Sequence, residues 1–569
     1  MSKRIRYFGR AGRVQLLLAG VLLLSACQES LWGTALPPTP VLPIMLETFA
    51  SPEPVPTESL TVQLPEPTEV TSGAPLVWAS PSIPLLLREM FSERGFHLTS
   101  DRASTNIFLD VHQADGQADF TWTFALVAPF PTVVDGVTSQ DLRSAWNASS
   151  SGSFSGIPLL MDESTLETFS ALWGEPAPDA VRILPADQLL DTAWTQMPAW
   201  AIIPFEAIEP KWKVLMIDGQ SPIQKGFDSS SYPLIAHYEL ICSHECPLSF
   251  SFQNRQADKL ATVILTGVTA LVRATAATME RRGILYPGNL VRDIFLEADI
   301  MHINNEVPFY SGCPTPNPVQ QDLRFCSSPR YIELLLDIGT DVIELSGDHF
   351  ADYGIQAMYE TIEVYEQNNL RYYGGGLNVE DGRKPLLLEI NGNKLMFIGC
   401  NRKAGFPTAT ETIPGAVPCD FDYITAQIAD YRSQGYLPIS TFQHYEYDTA
   451  TAPPQQVADF RTMADAGAVV VSGSQAHVPQ VMDFHADAFI HYGLGNLFFD
   501  QFNYAGSDIR QKGFVTRHVF YDGRYLGVEL IATYLQDYAR PWLMTELERE
   551  NFLREYFSLS GWNFQQAGP

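Results

Sequence analysis

TDVIELSGDHFADYG, residues 340–354, sets the reading of this chain. TDVIE is a short, β-rich apolar run and reads as a buried strand. Leu345, Ser346 and Gly347 turn the chain, and Asp348 and His349 follow at once, with Asp352 and Gly354 just behind. A charged Asp-His pair at the end of an apolar strand is either a helix N-cap beside a surface histidine or a metal or acid–base site. Around it the same design recurs. LATVILTGVTALV, LEADIMHINNEV, LRYYGGGLN, KLMFIGC, YLPISTFQ, AGAVVVSGS and AFIHYGLGN are strand-like runs. Helical stretches such as IQAMYETIEVYEQNN and PPQQVADFRTMADAG lie between them. Alternation of this kind predicts an α/β region with a largely parallel sheet, whose sites form in the loops at strand C-termini.

Four such loops carry chemistry. HINNE presents Asn304 and Glu306, SGDH presents Asp348 and His349, STFQHYEY presents His444 and Glu446, and VVVSGSQAHVPQ presents Gln475 and His477. Arg402 in GCNRK reads as a solvated charge, GGGLN (374–378) as a turn, and His491 as packed beside the last strand.

The ends and the composition bound the compartment. Lys3, Arg4, Arg6, Arg10 and Arg13 precede QLLLAGVLLLSA, an apolar run too short for a stable membrane span. It closes on Leu24-Ser25-Ala26-Cys27, which resembles a bacterial lipobox and implies a signal peptide over 1–27 and a lipid on Cys27. The alternative is an uncleaved membrane anchor with an incidental cysteine. Either way the expectation is an extracytoplasmic protein, lipid-anchored to the bacterial cell membrane in the first case. Residues 28–75 are rich in Pro, Glu and Thr and read as a disordered tether. The remaining six cysteines fall into three near pairs, Cys242 with Cys246, Cys313 with Cys326 and Cys400 with Cys419, as expected of local disulfides in an oxidising space. CSHEC alternatively offers two thiolates and His244 to zinc. A net charge of −29 argues against nucleic acid as a partner.

From Leu76 to Phe252, runs such as NIFLDV, TFALVAPF and WAIIPF alternate with amphipathic segments such as SQDLRSAW, a smaller α/β domain. VDGVTSQDLRSAW and AWAIIPFEAIEPKWKVLMIDGQSPI resemble parts of a type 2 periplasmic-binding-protein domain. The alternative is an accessory module that binds nothing small. The second region runs over 257–536, with a C-terminal extension over 537–569.

In order and spacing, the four loops together with YGLGNLFFDQ resemble the capsule-synthesis protein CapA family of the calcineurin-like metallophosphatase superfamily, over nearly all of residues 259–505. The resemblance implies a two-layered, metallophosphatase-like β-sandwich core flanked by helices. It also implies a role in making, exporting or processing poly-γ-glutamate capsule or another cell-envelope polymer, with that polymer or the synthesis machinery as partner. Two divalent metals sit at the loop ends in the active pattern. Carried over, Glu306 matches the bridging acid, Asp348 replaces a ligand Asn, His349 matches the catalytic histidine, and His444 and His477 match later ligands. Two metals about 3.5–4 Å apart clamp the charge of an in-line displacement, and carboxylate–imidazole sets suit Mn, Fe or Zn.

Two departures alter that expectation. Gly267 is kept, but the acid expected after it is Val268, and the first histidine of the last loop is Gln475. The expected outcome is one divalent metal at most, held mainly by Glu306, Asp348 and His444, with His349 and His477 on its open side. Two functions follow: a surface-anchored, metal-dependent phosphoesterase-like hydrolase, or a non-catalytic envelope scaffold that has lost part of the site. A solute receptor built on 76–252 is a third.

Overall fold

The computed structural model describes residues 74–112, 119–149, 152–243, 246, 250–403, 407–474, 476–501 and 507–562. The signal segment with Cys27, the tether up to residue 73, His244 and Gln475 lie outside them. Among the described residues no helix is long and apolar enough to cross a membrane.

The strand Phe120–Pro129 is apolar along nearly its whole length and buried at nearly every position, as a strand covered on both faces must be. It pairs antiparallel with Ile235–Cys242 and, further along the same edge, with Trp212–Val214, and with Trp200–Pro204 on the other edge. Leu76–Ala79, His97–Thr99 and Ile107–Val111 extend one flank, and Leu159–Met161 and Val181–Ile183 extend the other. The predicted helix SQDLRSAW forms as Ser139–Trp146. Thr138 and Asp141 close a capping box at its start, and Leu142, Ala145 and Trp146 are buried.

Past residue 257 two further sheets face each other. One runs in the order Arg371–Tyr373, Thr340–Glu344, Ile300–Asn305, Leu260–Leu265, Lys512–Tyr521, Arg524–Gln536, Arg540–Leu543. The other runs Leu386–Ile390, Asn393–Asn401, Leu437–Gln443, Val470–Gly473, Ala488–His491, Met482–His485. Val263, Leu265, Ile300 and Val342 from the first share one buried cluster with Leu395, Phe397, Ile439, Val470 and Phe489 from the second. The strands that lead into the predicted loops are parallel neighbours within each sheet, so their C-terminal ends open on the same edge.

The parallel reading is incomplete. Lys512–Tyr521 and Arg524–Gln536 form a long antiparallel hairpin that the strand inventory above does not contain. Its turn is Asp522-Gly523, with φ +49° and +75°, the positive pair a tight hairpin requires. The C-terminal segment is also part of the core. Arg540–Leu543 adds to the hairpin, and helix Glu546–Leu559 buries Phe552, Leu553, Tyr556 and Phe557. The N-terminal region joins the same body: Phe130 packs on Phe489 with ring centroids 5.4 Å apart, and Phe205 on Tyr521 at 4.8 Å. Residues 72–569 cluster as one unit.

Candidate metal centre

Glu306 leaves the strand Ile300–Asn305 with its backbone N–H on the Thr269 carbonyl at 3.0 Å. The SGDH turn lies directly on it. A Cβ at Gly347 would stand 2.6 Å from the Glu306 carbonyl oxygen and 2.7 Å from its Cα, so only glycine permits the approach. That contact brings Asp348 beside Glu306. Potential ligand atoms of Glu306, Asp348 and His349 all lie within 4.8 Å of one another. The two acids are 1% and 3% exposed.

Charge is balanced locally. Asp352 accepts from His349 Nδ1 at 2.7 Å and from the Phe325 N–H at 2.7 Å, which fixes the ring and leaves Nε2 as the nitrogen left to a ligand. Burial opposes protonation of His349, but the Asp352 bond, Glu306 and Asp348 outweigh it and raise its pKa to about 9. Burial likewise disfavours an ionised Asp348, yet His349 and Lys403 hold its carboxyl below the usual range. Gln443 Nε2 donates to Asp348 Oδ1 at 3.0 Å. Lys403 Nζ lies on Asp348 Oδ2 and on Glu446 Oε1, the latter at 2.7 Å.

The later histidines are buried but stand outside that trio. His444 Nε2 lies 3.1 Å from Asp459 Oδ2, and Arg402 donates to the same oxygen at 3.0 Å. The other nitrogen, Nδ1, is buried without a hydrogen-bond partner, and burial keeps the ring's pKa below its ordinary value. His477 Nδ1 pairs with Asn496 Oδ1 at 2.9 Å. The expected Glu306–Asp348–His444 set is therefore not what the structure gathers; the imidazole beside the two acids is that of His349. Arg402 is no solvated charge either, since it braces the acid that orients His444. Lys403 escaped the sequence reading, although NRK sits at the C-terminal end of a strand, where such groups collect.

The side of the site formed by Val268 is apolar. Val268 is fully buried and clusters with Ala270, Val272, Val307, Phe325 and Phe499. Gly267 is retained for packing: a Cβ there would lie 2.0 Å from the Gly495 carbonyl oxygen. His349 and His477 rest on this patch, with centroids 4.7 Å from Phe325 and 5.1 Å from Phe499. Gly375–Gly376 of GGGLN is a short buried strand paired with Gly415–Ala416. His491 is buried with Nε2 at 3.2 Å from the Gln480 carbonyl. All three expected disulfides are present, and Cys400–Cys419 ties down the strand end that carries Arg402 and Lys403.

Two buried carboxylates that meet at one point are donors that could hold one divalent ion, with the His349 ring beside them.

Residues 262–501 match the family model described as bacterial capsule synthesis protein PGA_cap. The capsule biosynthesis protein CapA of Bacillus anthracis is 25% identical over 256 residues, 44% of this chain and 62% of that protein. The chain thus spans less than two thirds of that relative's length. Among solved structures, a putative 5′-nucleotidase from Staphylococcus aureus aligns over 52% of this chain and 59% of its own, at 10% identity and a TM-score of 0.32. An ABC-type phosphate transport receptor from Vibrio cholerae aligns over 30% of this chain and 88% of its own, at 13% identity and a TM-score of 0.25. Neither structural likeness bears on the site. Over residues 262–501 the chain carries a domain of the bacterial capsule synthesis protein family.

Proposed function

We propose that this chain acts in the synthesis, export or processing of a capsule-type polymer outside the bacterial membrane, and that its site is a one-metal phosphoester hydrolase centre. The observation that carries the reading is the convergence of Glu306, Asp348 and His349 at parallel strand ends, inside the segment that matches the capsule-synthesis model. Glu306 and Asp348 would hold a divalent Mn, Fe or Zn ion. When bound, the ion supplies Lewis-acid polarisation of an ester oxygen. Asp352, bonded to Nδ1, favours the protonated ring of His349 and holds it beside the two acids, from where it can give a proton to a leaving oxygen. Partial burial of the cluster strengthens each of these interactions.

Dialysed protein with Mn²⁺ and bis(p-nitrophenyl) phosphate tests this reading. Glu306→Gln should lose both metal and turnover, whereas His349→Asn should keep the metal and lose turnover. Metal retention with no turnover in wild type would instead support a second reading, an envelope polymer-binding scaffold, which the apolar packing around Val268 favours. The placement belongs to the same proposal: cleavage before Cys27 and a lipid on its sulfur anchor the chain. Residues 76–252 are proposed as a periplasmic-binding-protein-like domain, for which a ligand-shift screen is the test.

A further inference from the structure

Lys403 is aimed at the metal centre by the fold. It follows the strand Asn393–Asn401, whose end the Cys400–Cys419 disulfide restrains. Asn401 then clamps it: its Nδ2 donates to the Ser346 carbonyl at 2.8 Å, and its Oδ1 accepts from the Lys403 N–H at 2.9 Å. One asparagine thereby fastens the lysine's backbone to the turn that carries Asp348. The ammonium lies between Asp348 Oδ2 and Glu446 Oε1, with the lysine side chain 15% exposed and that of Asp348 fully buried.

An ammonium between two carboxylates supplies positive charge and donors, as a cation there would, but it is tethered and cannot exchange. We infer that Lys403 is a built-in cation that takes the place of one divalent metal between Asp348 and Glu446, restricting the centre to a single exchangeable ion. This rests on the proposed metal reading only for that remaining ion. Val268 removes a ligand on one side of the site, and Lys403 fills the other. The single-metal expectation thus has a second structural cause, one that lies in a residue present and not in a residue lost.

Calorimetric Mn²⁺ titration of wild type, Lys403→Met, Lys403→Arg and Lys403→Met with Glu446→Gln tests the inference, with thermal melts in EDTA and in Mn²⁺ alongside. Lys403→Met should bind about one more Mn²⁺ than wild type, because two carboxylates then face each other without their cation. Its melting temperature should fall in EDTA and recover in Mn²⁺. Lys403→Arg should keep the wild-type stoichiometry, and the double variant should return to it. Equal stoichiometry in wild type and Lys403→Met would overturn the inference, as would a Lys403→Met protein that stays unfolded in Mn²⁺. A wild type that binds none beside a Lys403→Met that binds one would uphold the lysine's role while removing the wild-type metal site. One ion in each would do the reverse.

Discussion

Val268→Asp restores the acid expected after Gly267, and the structure gives it a definite cost. Val268 is fully buried in a patch of Ala270, Val272, Val307, Phe325 and Phe499. The two cationic side chains at those rings are already engaged, Arg273 with Asp500 at 2.9 Å and His349 with Asp352 at 2.7 Å. A carboxylate placed there is buried and unpaired, which costs about 3–5 kcal/mol. Urea unfolding followed by tryptophan fluorescence, in EDTA and in Mn²⁺, measures it. The expected result is a loss of that size in EDTA that Mn²⁺ does not recover, with metal content unchanged from wild type. A loss below about 1 kcal/mol, the range of an ordinary surface change, or full recovery by Mn²⁺ with an extra ion bound, would refute the argument that apolar packing has replaced that ligand position.

Other perturbations follow the same logic. Burial depresses His302, His491 and His518 from 6.5 to about 3, so the unfolded chain binds more protons through that window. Their stabilisation is complete above pH 6.5 and is lost as pH falls towards 3, by up to about 4 kcal/mol per pH unit for the three together. Urea midpoints that stay constant between about pH 7 and about pH 5 would contradict this. Replacing both Cys400 and Cys419 by Ser opens a loop of sequence separation 19 and should cost about 3 kcal/mol in thermal or urea melts. Cys27→Ser should shift the protein out of the membrane fraction or leave an uncut signal; an unchanged mature mass and lipid label would remove the proposed anchor.

What the sequence made legible was the scaffold. Short, apolar runs such as IMHINN, TDVIE and LPISTFQ, too short for ordinary helices, are strands, and the loops behind them carry Glu306, Asp348 and His444. The hairpin over 512–536 was equally readable, since Asp522-Gly523 between alternating apolar residues is a turn signal. Partner choice was less accessible. Whether His444 joins the acids or turns to Asp459 depends on where helix Pro454–Asp465 packs, and no local pattern encodes that. Lys403 was invisible for a related reason: a lysine after a strand reads as solvated until Asn401 is seen to fasten it to the SGDH turn. Gly347 shows the converse. It reads as an ordinary turn glycine, yet the approach of Glu306 is what demands it.

The central claim is that Glu306 and Asp348 hold one divalent ion beside His349, and dialysis-resistant metal content tests it most directly. Elemental analysis of wild type and Glu306→Gln, loaded with Mn²⁺ and exhaustively dialysed, should give about one ion per chain in the first and essentially none in the second. Two ions in wild type, or the same content in both proteins, would contradict the account.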